Sequence, residues 1–299
     1  MLTQKAPAQP KTAPAAGSAP ALDDLICYFE GQFIPMRDAK VSIMTHAFMY
    51  GTAVFEGIRA YWNEEQGQLH GLFFREHMDR IRRNAGMLFM EDLPPVDELV
   101  ELAVQVAARN GLREDLYIRP CFYKSSRAVG VRLHHLDHEL VIFTVPFGNY
   151  IDVDKGVRLM TSSWRRNADE ALVLTPDGHA SEASAANMFV VRDGILLTPP
   201  VNDDILEGVT RRAIFELAEA SGIRVEVRSI DRSEIYVADE MFLCGTGVQL
   251  SPVIELDHRK VGDGEIGPIT RLMRQAYFDA VRGRTPAFAH WLTPIPIGG

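Results

Sequence analysis

The sequence predicts an α+β fold in two domains, and three observations carry that reading. Strand-like and helical runs are mixed in both halves without the strict strand–helix alternation of a parallel, doubly wound sheet. At 299 residues the chain is long enough for two ordinary domains. Its content of 46% hydrophobic and 24% charged residues is that of a chain that buries a core. Residues 1–22, rich in Ala and Pro and without an aromatic residue, read as a disordered tail. Residues 23–147 read as a small α+β domain, 148–156 as a linker and 157–299 as the larger domain.

In the first domain, apolar LICYF, a turn at Glu30-Gly31 and QFIP closed by Pro35 read as a hairpin. GLFFR (71–75) leads into a helical stretch with Met78, Ile81 and Leu88 near helical spacing. Pro94 and Pro95 open a second helix with Leu99, Leu102, Ala103 and Val106 on one face and Gly111 as its stop. YIRPCFY (117–123) and ELVIFTVPF (139–147) read as strands. The second half alternates short strands with tight turns: VRLMTSS, ALVLT, Pro176-Asp177-Gly178, NMFVV, Arg192-Asp193-Gly194 and ILLTPP. A helix spans Val209 to Ser221, IRVEVRSI alternates like a half-buried strand, and a last helix places Ile269, Leu272, Met273, Ala276, Tyr277, Ala280 and Val281 on one face.

The formal net charge of −9 excludes a general attraction to nucleic acid or to acidic membrane surfaces. Cys27, Cys121 and Cys244 are odd in number and far apart, which fits neither a disulfide framework nor a zinc knuckle and points to the reducing cytoplasm. No apolar run reaches membrane-spanning length, and the tail has the pattern of neither a secretory signal nor a transit peptide. HHLDH offers His134, His135 and His138 at ligand-like spacing, but without a clear fourth ligand a solvated loop is preferred to a metal site.

Three segments carry chemistry. In LEGVTRR (206–212), Gly208 allows a sharp turn, and Val209 and Thr210 offer amides at a helix start, where unpaired N–H groups favour an anion. In CGTGVQLSP (244–252), glycines flank Thr246 at a strand end, a second place able to aim amides and a hydroxyl at an oxyanion. In HASEASAANMFVV (179–191), Glu182 is the one acid among small residues, able to pair with a protonated ring nitrogen. Taken singly, each reads as readily as a capped helix, a glycine turn or an exposed acid.

Together with DAKVSIMTHAFMYGTAVFEGIRAY (38–61), REHMDRIRR (75–83), LYIRP (116–120) and TSSWRR (161–166), these segments occur in the order seen in branched-chain amino acid aminotransferases. The chain resembles that family from about Leu25 to the last helix. The resemblance implies a fold-type IV, D-amino acid aminotransferase-like architecture, pyridoxal 5′-phosphate as cofactor, and amino-group exchange between Leu, Ile or Val and 2-oxoglutarate. It implies a cytoplasmic homodimer or higher homo-oligomer in branched-chain amino-acid biosynthesis. By the same resemblance the cofactor is held by Arg80, by the amides of Val209 and Thr210, by Thr246, and by Glu182 at the pyridine nitrogen. The substrate α-carboxylate falls to Tyr117 and the amides of Gly247 and Val248, and the second carboxylate of glutamate to Arg119. The apolar wall falls to Phe55, Phe147 (where many relatives carry tryptophan) and Tyr150, with Tyr50 and Val131 supplied by a partner subunit.

One departure concerns the chemistry itself. Relatives carry on the order of thirty further residues between the tryptophan of TSSW and the SE dipeptide, and that block holds the lysine of the internal Schiff base. Here Trp164 is followed by RRNADEALVLTPDGHASE, which contains no lysine; the chain's lysines are Lys5, Lys11, Lys40, Lys124, Lys155 and Lys260, and none matches the motif. Without it, both amine exchange on the cofactor and the proton shift lose their base. The intact flanks RRNAD and EALVL read as a clean excision, which predicts an inactive chain whose larger domain is truncated between 164 and 182. The alternatives are a pseudoenzyme that binds the cofactor without turnover, a subunit lending Tyr50 and Val131 to another chain, or another fold-type IV enzyme such as D-amino acid aminotransferase or aminodeoxychorismate lyase.

Overall fold

The computed structural model describes residues 21–148, 156–161 and 169–298. The hairpin of β1 (Ile26–Phe29) and β2 (Gln32–Pro35) is followed by helix α1 (His46–Tyr50), β3 (Ala53–Phe55), β4 (Ile58–Asn63) and β5 (Gln68–Leu72). Helices α2 (Phe74–Met87) and α3 (Val96–Asn110) precede the long strands β6 (Leu116–Lys124) and β7 (His138–Pro146). The apolar stripe of α2 (Phe74, Met78, Ile81, Ala85) and that of α3 (Leu99, Ala103, Val106, Ala107) close over Ile58, Leu116, Ile118 and Ile142 of the sheet. This is the amphipathic packing their spacing predicts.

The second half contributes β8 (Val157–Thr161), β9 (Glu170–Leu174), β10 (Ala180–Ala183), β11 (Asn187–Arg192), β12 (Ile195–Thr198), α4 (Val209–Ala220), β13 (Val225–Val227), α5 (Arg232–Ile235), β14 (Glu240–Gly245), β15 (Gln249–Leu256), β16 (Arg259–Lys260), α6 (Pro268–Val281) and β17 (Leu292–Pro296). The first sheet runs β17-β5-β4-β6-β7-β1-β2 with β3 beside β6; the second runs β10-β9-β8-β15-β14-β11-β12-β13 with β16 beside β15. The final strand therefore returns to the first sheet, Leu292 facing Leu72, rather than staying with the 157–299 unit in which the sequence places it. With prolines at both 294 and 296 it reads as loop, and only an edge position tolerates it as a strand. IRVEVRSI likewise yields only the short edge strand β13.

Alternation along the second sheet divides its side chains between two cores. Phe189, Phe242 and Leu250 lie under Ile214 and Leu217 of α4 and Met273 and Tyr277 of α6, joined by Tyr61, Leu72 and Phe73 from the first sheet. Met188, Val190, Leu243, Leu159 and Leu172 form the other. One connection is unusual. β8 and β9 are parallel neighbours, Leu159 facing Glu170 and Thr161 facing Leu172, yet only residues 162–169 join them. A crossover between parallel neighbours ordinarily takes a dozen or more residues, usually including a helix. Beside it, Val173 of β9 is 38% exposed.

Candidate active site

A cavity of about 610 Å³ opens between the two sheets. Its lining includes Phe55, Arg80, Tyr117, Arg119, Phe147, Glu182, Val209, Thr210, Thr246, Gly247 and Val248. Eleven of the residues that the sequence singles out therefore share one space. Tyr50 and Val131 do not: they are 37% and 81% exposed, brought together where the Gly130 amide donates to the Tyr50 hydroxyl at 2.9 Å. Tyr150 lies outside the described residues.

Part of the cavity wall is built by α4 and α2. Gly208 is the N-cap of α4; a Cβ there would lie 1.9 Å from Asn187 Oδ1, so only glycine lets this turn sit against β11. Arg80, on α2, reaches the same turn, donating from Nη1 to the Glu207 carbonyl at 2.8 Å. Its Nε and Nη2 are held by both oxygens of Glu56 at 2.6 and 2.7 Å, a bidentate fork that fixes the guanidinium plane. His77 Nδ1 lies 2.9 Å from the same carboxylate. Burial alone would raise the Glu56 pKa, but the hydrogen bonds from Arg80 and His77 hold it below the ordinary value. Thr210 is buried at the helix start, and the Thr246 hydroxyl donates to the Gly57 carbonyl at 2.9 Å, so it must turn to donate to an anion.

Glu182 also lines the cavity, its Oε2 accepting from Asn187 Nδ2 at 2.8 Å and from the Leu206 amide at 3.1 Å. Burial pushes its pKa up more than these two bonds lower it. Also in the lining, Arg119 donates from Nε to the Tyr117 hydroxyl at 2.9 Å, again from Nη2, and stacks over Phe55 at 4.0 Å. Gly57 carries no side chain because a Cβ would lie 2.5 Å from the Tyr117 hydroxyl.

Glu56, His77, Asn187 and Arg59 escape the sequence reading. Glu56 and Arg59 lie within the quoted FEGIRAY, His77 within REHMDRIRR and Asn187 within SEASAAN, but their partners are distant in the chain. Among the described residues no lysine lines the cavity. Lys124 is fully buried, its Nζ donating to the carbonyls of Phe89 and Leu136 at 2.7 and 3.3 Å; Lys260 Nζ donates to the Asp263 carbonyl. Lys155 lies outside the described residues. Among the described residues no group of three or more His, Cys, Asp and Glu is arranged to hold a metal, and the His134 ring packs on Phe89 at 4.2 Å. No described helix is long and apolar enough to cross a membrane.

Two mixed sheets that share one cavity, lined by the start of α4, by Arg80 and by Glu182, define a fold-type IV scaffold. The model of the family "Amino-transferase class IV" matches residues 53–168 and 157–256. The chain belongs to that family. It is 43% identical over 298 positions to a probable branched-chain-amino-acid aminotransferase of Aquifex aeolicus, covering 90% of this chain and 96% of that protein. A branched-chain aminotransferase of Thermoproteus uzoniensis, solved with norvaline, superposes with a TM-score of 0.86 at 35% identity over 91% of this chain and 99% of its own. The branched-chain amino acid aminotransferase of Thermobaculum terrenum, solved in its PLP form, gives 0.87 at 30% identity over 93% of this chain and 100% of its own.

Proposed function

We propose that the chain is a branched-chain amino acid aminotransferase scaffold for Leu, Ile, Val and 2-oxoglutarate, from which the block bearing the catalytic lysine has been lost. As written it binds pyridoxal 5′-phosphate and substrate without transferring an amino group. The observation that carries this reading is the cavity itself, which gathers the anion cup, the ring-facing carboxyl and the aromatic wall but has no lysine amine among the described residues of its lining.

The residues present fit the non-covalent demands of the cofactor. The α4 amides and the Glu56-oriented Arg80 suit a phosphate dianion, and Glu182 suits a protonated ring nitrogen. Bound there, pyridoxal phosphate supplies an electron sink for the substrate's α-carbon. Tyr117 with the Gly247 and Val248 amides holds the α-carboxylate, Arg119 the second carboxylate of glutamate, and Phe55 and Phe147 exclude water from an aliphatic side chain. What does not fit is the covalent link and the proton transfer, for which no described side chain offers a base at the right place.

Three observations independent of motif reading support a lost block. The first is the short β8–β9 connection between parallel neighbours. The second is the alignment with the Aquifex relative: 90% of 299 residues is about 269, so roughly 29 of its 298 positions have no counterpart in this chain. The family match also breaks into two overlapping pieces at 157–168. A homodimer is supported by Ile43, Met44, Phe48, Val129 and Val131, all apolar and exposed around the Tyr50–Gly130 contact.

Borohydride reduction of the protein with pyridoxal phosphate, followed by peptide mapping and a leucine–2-oxoglutarate transfer assay, tests the reading. The expected outcome is no labelled peptide and no transfer above free cofactor. Label on Lys124 or Lys155 together with leucine-dependent turnover would overturn it.

A further inference from the structure

Arg59 is 2% exposed, and among the described residues its hydrogen bonds all go to backbone carbonyls. Nε donates to Thr246 O at 2.7 Å, Nη2 to Gly247 O at 3.1 Å and to Gly148 O at 3.0 Å, and Nη1 to Phe147 O at 3.1 Å. Its guanidinium also lies over the Phe147 ring at 4.6 Å. A buried guanidinium with no carboxylate partner is costly unless its charge is compensated by oriented dipoles. Four carbonyls do this, and two of them belong to the consecutive peptides Thr246–Gly247 and Gly247–Val248.

In a trans peptide the C=O and N–H point in opposite directions, and the described chain has no cis bond. Drawing the carbonyls of Thr246 and Gly247 toward Arg59 therefore turns the N–H groups of Gly247 and Val248 the other way. Both residues line the cavity, and neither amide donates within the described chain. We infer that Arg59 is the positioning residue of the substrate-carboxylate site: from behind the β14–β15 turn it sets the direction of two peptide N–H groups and polarises them toward an incoming carboxylate. Through Phe147 and Gly148 the same side chain ties that turn to the end of β7, so the anion site and the aromatic wall keep a common register. The inference rests on the carboxylate role given to Gly247 and Val248 above.

The test uses 4-methylpentanoate, the leucine skeleton without its amino group, and the neutral 4-methylpentanamide. Binding is read from the amide NMR shifts of Gly247 and Val248, with and without saturating pyridoxamine 5′-phosphate, for the parent chain, Arg59→Lys and Arg59→Met. The parent is expected to prefer the carboxylate over the amide by at least about tenfold. Arg59→Met abolishes that preference, and Arg59→Lys, keeping charge but losing the fork, falls between. Pyridoxamine phosphate affinity changes less than about threefold in Arg59→Lys. An unchanged carboxylate-to-amide ratio in Arg59→Lys, or no preference in the parent, overturns the inference. If Arg59→Met does not fold, the lysine variant decides alone. Failure of pyridoxamine phosphate to bind at all would instead strike the proposed function, since the carboxylate titration without cofactor still stands.

Discussion

The two ends of the second sheet obey the same packing rules with opposite results. At β11, β14 and β15 the side chains of Phe189, Phe242 and Leu250 disappear under α4 and α6, and the turns leaving these strands and the start of α4 carry the anion cup. At β8 and β9 a parallel pair is joined by residues 162–169 alone, and Val173 of β9 is left exposed. The covered end is held by bonds among described elements of both sheets, Arg80 to Glu207, Thr246 to Gly57 and Arg59 to Thr246 and Gly247. The uncovered end lies where the lost block is proposed to have been. The proposed function makes binding and bond-making separable in this chain, and each prediction below presses on that separation.

The largest effect is expected from putting the block back. Inserting the corresponding segment of the Aquifex relative between Asp169 and Glu170, the junction of the two flanks, should raise leucine-dependent transfer from background by at least about a thousandfold, since a positioned base and nucleophile together contribute on that scale. Chemical labelling should then fall on the inserted lysine. A graft that folds, binds cofactor and stays silent would show that the covered end is also impaired.

Next in size are changes to the cup. Arg80→Met removes charge-assisted hydrogen bonds to a phosphate and should weaken pyridoxamine 5′-phosphate binding by about 10- to 100-fold, measured by calorimetry. Glu56→Gln keeps the guanidinium but loosens its plane, and a loss of about 3- to 10-fold is expected. Equal losses for phosphate-free pyridoxamine would point to general unfolding.

How much of this was legible depends on where a residue's partner lies. The helix start at Gly208–Thr210 and the turn around Thr246 are local features, and Glu182 stands out as a lone acid among small residues, so short segments single them out, though only their order along the chain joins them into one candidate site. Glu56, by contrast, matters through Arg80 one helix away, and Arg59 through Thr246 and Gly247 on the other sheet. Nothing in a short segment distinguishes such residues from solvated charges. The return of Leu292–Pro296 to the first sheet was hidden for the same reason: its only strand signal is an edge that β5 provides.

A smaller effect concerns the uncovered end. Asp257 accepts from the Thr161 amide and hydroxyl at 2.7 and 2.6 Å, from the Tyr236 hydroxyl at 2.6 Å and from Arg232 at 2.8 Å. Burial alone would raise its pKa, but these bonds hold it far below the usual carboxylate range. A depressed pKa contributes stability that is present above the unfolded value and is lost as pH falls toward the folded one. Asp257→Asn should lower the Tm by about 2–4 °C at pH 7 and by less at pH 3, while pyridoxamine phosphate affinity stays within about twofold. A comparable loss of affinity would mean that the two ends are coupled.

The smallest predicted effect has the most telling sign. The Glu182 pKa is raised, chiefly by burial, in the protein without cofactor. A raised carboxyl pKa means that the folded state holds its proton more tightly than the unfolded chain, so its contribution to stability is fully present below the unfolded pKa and lost as pH rises through the folded one. At pH 7 the ionised carboxylate is then a liability of the empty cavity. Glu182→Gln, which keeps the acceptor oxygen for Asn187 and the Leu206 amide but carries no charge, should raise the Tm of the cofactor-free chain slightly at pH 7 and leave it unchanged near pH 4. With pyridoxamine phosphate bound the order should reverse, because the ring nitrogen loses its anionic partner. A thermal-shift comparison of the two proteins, with and without ligand at both pH values, reads all four numbers; a variant less stable than the parent in the empty state at pH 7 would show that this carboxylate serves the fold rather than the ligand.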